Sequence, residues 1–355
     1  MRAAPARGSG LVGVMLMVTG LKAAGQAQRR LCTAAKWYNT QLQGDRAGQP
    51  KPQRLKAVSI LQEPGVPVVG NMSRQAVVDL LAASVVYQEG SLVGFNKPPN
   101  LAITGKDDLC LTSLLSAVQR RLSLAQELHI VKASSKEHSG LVLLSTCHQT
   151  TQSIENAYAR RDGKKTALTS YCAVTVGIPE PAMGEISVAL TQQSLGEQTM
   201  VVPVLNPSAG NFERKKVKKA VTRYRVLDAA NGCALVQLQP LTTFQNLLQV
   251  HLTLKLCTVL GDHVYSSRVG RVLGLPVLFS VDLAVPRTQV LDEALLQKLH
   301  LRREQMHRMP LHLHLHRFSI PACGRKSSET VITAPLPAFF IRTLQLLGLR
   351  MKQSA

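Results

Sequence analysis

Apolar residues recur at helical spacing from Ser73 to Ser84 and from Leu111 to Leu124, which predicts two helices. Between them, Val85 to Phe95 reads as two strand-like runs turning around Gln88-Glu89-Gly90. Gly140 to Thr146 is an apolar strand, Thr150 to Arg161 a helix with a basic end, and Thr169 to Gly177 another strand. Thr222 to Leu227 and Cys233 to Leu238 are expected to pair across Asp228 to Gly232. A Pro-punctuated stretch from Val331 leads into a final helix, Ala338 to Leu349, expected to pack back on the core. Strands and helices mix without regular βαβ repetition, so the fold class is α+β.

These elements lie between about residues 76 and 320, and 321–355 reads as a C-terminal extension packing on that core. Residues 45–75 are rich in Gln, Gly and Pro, the composition of a polar linker. Residues 1–44 contain no Asp or Glu but carry Arg2, Arg7, Lys22, Arg29, Arg30 and Lys36. Basic, acid-free composition of this kind marks a mitochondrial import presequence. The apolar run Leu11 to Leu21 would suit a secretory signal, but basic residues continue beyond it. It is also shorter than the roughly 20 residues of a spanning helix, so no membrane span is expected.

Charge sharpens the picture. Across 355 residues, 42 Lys and Arg face 21 Asp and Glu, a formal charge of +21. Removing the six presequence charges leaves 21 − 6 = +15 for the rest. A surplus of this size suits a polyanionic partner and makes a plain enzyme of small-molecule metabolism a poor fit. The seven cysteines are scattered, odd in number and never spaced as C-x-x-C, which suits a reducing compartment and offers no zinc pattern. His312, His314 and His316 alternate with Leu311, Leu313 and Leu315, which predicts a strand with one wet and one buried face rather than a metal site.

Three segments carry the chemistry. They are Leu92 to Pro99 with its Asn96-Lys97-Pro98, then His129-Ile130-Val131 followed by Ser139 to Leu144, then Gln249-Val250-His251-Leu252 ahead of Gly261-Asp262-His263-Val264-Tyr265. In order and spacing this set resembles the RluA-type RNA pseudouridine synthases, closest to their mitochondrial mRNA branch. Those enzymes carry an N-K-P strand end, an H-I-V-H-R-L-D-x-x-T-S-G loop, and an H-Q-I-R-V-H-L segment before G-D-x-x-Y. Thr169 to Gly177 is similar to the family's K-x-Y-x-A-x-V-x-G strand, and Leu311-His312 to its late L-H element. The resemblance implies a pseudouridine synthase-like catalytic core, a mixed, largely antiparallel sheet flanked by helices. It also implies isomerisation of uridine in RNA, in which the N1–C1′ bond breaks and a C5–C1′ bond forms, with no cofactor and no metal. Tyr171 then stands at the position of the tyrosine that stacks on the uracil.

The departures bear on that chemistry. Aligned without gaps, H-R-L-D becomes Lys132-Ala133-Ser134-Ser135, so Ser135 occupies the position of the catalytic aspartate and Ala133 that of the base-displacing arginine. Gln249 stands where the family has the arginine that pairs with the aspartate, and Asn246 and Leu247 replace the usual histidine and glutamine. A serine without an activating base is a weak nucleophile. Once one member of such a pair is lost the other is expected to go too, because an unpaired buried charge costs about 3–5 kcal/mol. Glu137 reads as a solvated loop carboxylate and Asp262 as a structural residue of the G-D turn.

Phosphate contacts are expected from Arg160, Arg161, Lys164 and Lys165, and from Arg214, Lys215, Lys216, Lys218, Lys219, Arg223 and Arg225. The expected partner is mitochondrial RNA, mRNA or rRNA, rather than DNA. The 45–75 stretch is too short for an independent domain, so target choice falls to the core, its loops or partner proteins. Two functions remain open at this point: an RNA pseudouridine synthase serving mitochondrial translation, and a catalytically inactive member acting as an RNA-binding or assembly factor.

Overall fold

The computed structural model describes residues 59–62, 69–105, 109–159, 167–195, 198–204, 206–213, 217–320 and 329–351. The presequence and the clusters Arg160, Arg161, Lys164, Lys165 and Arg214, Lys215, Lys216 lie outside them. All described residues belong to one compact unit, 57–355.

The Ser73 hydroxyl accepts from the Ala76 N–H and opens helix α1 (Arg74–Ala83), which Ser84 closes. Strands β1 (Val85–Glu89) and β2 (Leu92–Lys97) form the expected hairpin. They are followed by α2 (Leu111–Arg121), β3 (His129–Lys132), β4 (Ser139–Ser145), α3 (His148–Ala159) and β5 (Thr169–Val176). Next come β6 (Met183–Leu195), β7 (Gln198–Val204) and the short α4 (Ala209–Glu213). The pair β8 (Lys218–Ala230) and β9 (Cys233–Pro240) is joined by Asn231-Gly232, both at positive φ, so the connection is tighter than the sequence suggests. Helix α5 (Leu247–Thr253), β10 (Thr258–Val259), the hairpin β11 (Val269–Val272) and β12 (Leu275–Leu278), and α6 (Glu293–Lys298) lead to β13 (Leu313–Ile320). The described chain closes with β14 (Thr330–Thr333) and α7 (Ala338–Leu347).

A twelve-stranded sheet runs β1-β2-β4-β13-β5-β9-β8-β6-β7, with β3 on β4, β10 on β5 and β14 on β13. Only the β4–β13 pair is parallel, so the sheet is mixed and largely antiparallel. On one face α5 packs Leu248 and Leu252 against Ala173, Val236 and Leu238. On the other, Phe339, Phe340 and Leu344 of α7 and Leu295 of α6 cover Cys172, Val174 and Leu235. A third layer buries Val77, Leu81, Leu114 and Val118 of α1 and α2 on Val93, Phe95 and Val142. Gly140 has φ +110, and any Cβ there would strike the Leu315 backbone, so glycine lets β4 run close beside β13. Among the described residues no helix is long and apolar enough to cross a membrane.

Two expectations need correction. The stretch 45–75 is not polar linker throughout, because Ile60 and Val69 are fully buried in the core layers. Nor is the histidine face wet at the start of β13: His312, just before the strand, and His314 are as buried as Leu313 between them, and only His316 is half-buried. The strand lies between β4 and β5, and its ring nitrogens find partners inside. His312 Nδ1–H donates to Pro310 O at 2.9 Å, and its Nε2 accepts from the Thr343 hydroxyl at 2.8 Å. His314 Nε2–H donates to Ala334 O at 3.2 Å, and Nδ1 accepts from Ser139 at 3.0 Å. Over Leu311–Leu315 the Leu-His alternation therefore marks a segment with two dry faces, one of them hydrogen-bonded.

Candidate nucleic-acid site

A cleft of about 510 Å³ opens where the β3–β4 loop, β5 and the start of α5 meet. Ser135 from the loop, Tyr171 from β5 and Gln249 from the first turn of α5 all line it. Three positions far apart in sequence thus come together. Lys132, Ala133, Ser134, His138, Tyr158 and the segment Pro240–Gln245 complete much of the wall.

Lys97 positions the loop. This residue ends β2 and is 1% exposed, yet its Nζ meets four carbonyls: His138 O at 2.6 Å, Lys136 O at 3.0 Å, and Pro98 O and Leu101 O at 3.2 Å each. Burial pulls its pKa down to about 7, and the Glu137 charge opposes that shift. The His138 N–H closes the loop by donating to Ser135 O at 3.2 Å. Replacing Lys97 with Met removes every donor from those carbonyls. The expected cost is about 3 kcal/mol of stability, together with faster amide exchange across residues 134–138. Urea unfolding and hydrogen exchange measure both, and unchanged exchange there would show that Lys97 does not hold the loop.

Tyr171 is nearly buried, and its hydroxyl stays protonated because burial raises its pKa to about 12. The His138 ring meets it edge-on, with centroids 6.0 Å apart at 84°. Burial and the nearby Lys97 charge hold His138 neutral, with a pKa of about 3. Lys132 lies over the Tyr158 ring at 4.9 Å, and Tyr158 stacks on Phe318 at 5.4 Å.

Ser135 is exposed, whereas Ser134 and Gln249 are buried. Asn246 introduces α5 with φ 49° and donates from Nδ2 to the Tyr265 hydroxyl at 3.2 Å. No carboxylate occurs among the described residues lining the cleft. Glu137 is exposed and off its wall. Asp262 serves its own turn: Oδ1 accepts from the Val264 and Tyr265 N–H groups at 2.9 Å, while burial raises its pKa to about 6. The wall can stack and hydrogen-bond, but it supplies no ionised nucleophile.

The basic run divides between two faces. Tyr224 stands opposite Leu238, which stands opposite Tyr171, so Ala220, Thr222 and Tyr224 share the cleft's side of the sheet. Lys219, Arg223 and Arg225 have the other parity and point away from it. Arg223 pairs with Glu185 at 3.2 Å, and Tyr224 is buried rather than interleaved among cations. Lys218, on the cleft's side, donates to the carbonyl of Thr243, a residue of the cleft wall, at 3.2 Å. The cations at the cleft therefore include Lys132, which the sequence reading did not single out. His138 was missed as well, and Lys97 was read only as part of the N-K-P strand end, without its hold on the loop. An isolated lysine ending an apolar strand before two prolines was the available signal for Lys97.

The fold is that of the pseudouridine synthases. A family model described as RNA pseudouridylate synthase matches residues 91–254, and the chain belongs to that family. Among named relatives, the human mitochondrial mRNA pseudouridine synthase RPUSD3 is 48% identical over 286 residues, covering 79% of this chain and 81% of that protein. The mouse mitochondrial pseudouridylate synthase RPUSD4 is 32% identical, covering 76% and 71% respectively. The solved structure of human RNA pseudouridylate synthase domain containing 4 superposes with a TM-score of 0.63 at 27% identity, covering 78% of this chain and 98% of that one.

Proposed function

We propose that this chain is a mitochondrial RNA-binding protein of the pseudouridine synthase family. It seats a uridine of mitochondrial mRNA or rRNA in the Tyr171 cleft and so serves mitochondrial translation. The observation that carries this reading is the convergence of Ser135, Tyr171 and Gln249 on one cleft. Mitochondrial location is supported by the relatives' names and by the acid-free basic N-terminus. Isomerisation of the seated base to pseudouridine is what those names favour. A specific observation favours the alternative of an RNA-binding or assembly factor without that activity: no carboxylate lies among the described residues of the wall.

Pseudouridine mapping of mitochondrial RNA with and without the protein separates the two. Sites that vanish without the chain, and return with wild type but not with Tyr171→Phe, establish isomerisation here. Unchanged sites, with the chain still bound to RNA, establish the factor.

A salt series tests the phosphate contacts. Lys132→Gln and Lys218→Gln are each expected to lower the slope of log K against log salt by about one. Arg225→Gln, on the far face, is expected to leave it unchanged. Equal losses for all three would mean that RNA also wraps the outer face.

A further inference from the structure

Buried polar atoms in proteins almost always find partners, so several without them on one wall mark the place of a ligand. Ser134 Oγ, both ring nitrogens of His138 and Gln249 Oε1 have no partner within the protein. These side chains are 3%, 7% and 6% exposed, and all three line the Tyr171 cleft. They come from two elements, the β3–β4 loop and α5, and Lys97 fixes the loop that carries two of them.

Their chemistry is uniform: a hydroxyl, an imidazole and a carboxamide. Burial and the Lys97 charge keep the imidazole uncharged. A wall of neutral donors and acceptors beside an aromatic ring suits a neutral, flat ligand whose edge offers both kinds of group. The uracil edge offers acceptor, donor, acceptor. We infer that Ser134, His138 and Gln249 read the base, with uracil N3–H donating to Gln249 Oε1 and its two carbonyls accepting from the Ser134 hydroxyl and a His138 N–H. The assignment rests on the RNA-binding reading above and adds which residues recognise the uridine and by what bonds. Every bond in it is neutral, so base recognition is insensitive to salt, while phosphate binding is not.

Fluorescence anisotropy tests this with two RNAs of equal charge: oligouridine of roughly 12 nucleotides, and an abasic ribose-phosphate strand of the same length. Wild type is expected to prefer oligouridine by about tenfold, at any salt concentration. Gln249→Leu and His138→Phe keep shape and remove the polar atoms. Both are expected to abolish most of that preference while binding the abasic strand as wild type does, which also shows that they are folded. Ser134→Ala, the smallest change, is expected to lose part of it. Equal wild-type affinity for the two strands overturns the inference and leaves RNA binding standing, as does a preference that survives in folded Gln249→Leu and Ser134→Ala. Binding to neither strand overturns both the inference and the RNA-binding reading.

Discussion

The double variant Ser135→Asp, Gln249→Arg forms pseudouridine in RNA at least about 10²-fold faster than the wild-type chain, the order of gain expected from supplying a nucleophile. The cleft already holds the rest of the arrangement: Tyr171 on β5, a loop fixed by Lys97 and a polar wall. Among the described residues lining it there is no carboxylate to attack the sugar, and position 249 holds a neutral Gln. The single variants behave differently. Gln249→Arg alone places a cation at a buried position with no carboxylate among the described residues of the wall. It is expected to lose about 3–5 kcal/mol. Ser135→Asp alone is tolerated, because position 135 is exposed, but gains little rate. Adding the aspartate to the arginine variant recovers stability, so the cycle shows coupling of about 2 kcal/mol. A double variant that folds, binds RNA and shows no gain would mean the cleft does not present residue 135 to the sugar.

The second large effect is on stability. Burial holds four histidines neutral: the pKa values of His138 and His314 fall to about 3 and those of His251 and His312 to about 4, from 6.5. The unfolded chain protonates them near pH 6.5 and the folded chain does not. The unfolded state therefore binds more protons below that pH, and stability falls with it. Asp262 acts oppositely, because its raised pKa, about 6, makes the folded state hold one proton more between roughly pH 6 and 4. The net difference near pH 5.5 is about three protons, or about 4 kcal/mol per pH unit. A domain with an ordinary margin of about 5–15 kcal/mol should then unfold near pH 5. Urea midpoints at pH 7.5, 6.5 and 5.5 check this. A flat profile would mean the buried rings accept protons in place.

Much of the fold was legible because it is written locally. Ser73 and Ser84 bracket α1, and the apolar runs of β4 and β5 coincide with strands buried along nearly their whole length. Strands β6 and β7 escaped notice although Ile186, Val188 and Leu190 alternate in β6, because that short signal is flanked by exposed, largely polar ends. The convergence of Ser135, Tyr171 and Gln249 was legible only through motif order, since no local pattern joins a loop, a strand and a helix. The sequence marks Lys97 as the end of a motif strand but does not reveal its hold on the loop. Its carbonyl partners lie up to 41 residues away, and a lysine gives no periodic sign of being buried. The basic run was read by charge alone. Charge counted along a line ignores the strand's two-residue period, which puts Lys218 on the cleft's side of the sheet and Lys219 on the other.

The central claim is that a uridine of mitochondrial RNA enters this cleft. Photocrosslinking in cells fed 4-thiouridine, with the attached peptides sequenced, tests it most directly. The prediction is crosslinks within residues 132–138, at Tyr171 and within residues 240–249. Crosslinks confined to the outer face of β8 around Arg223 and Arg225, or none to mitochondrial RNA, would contradict it.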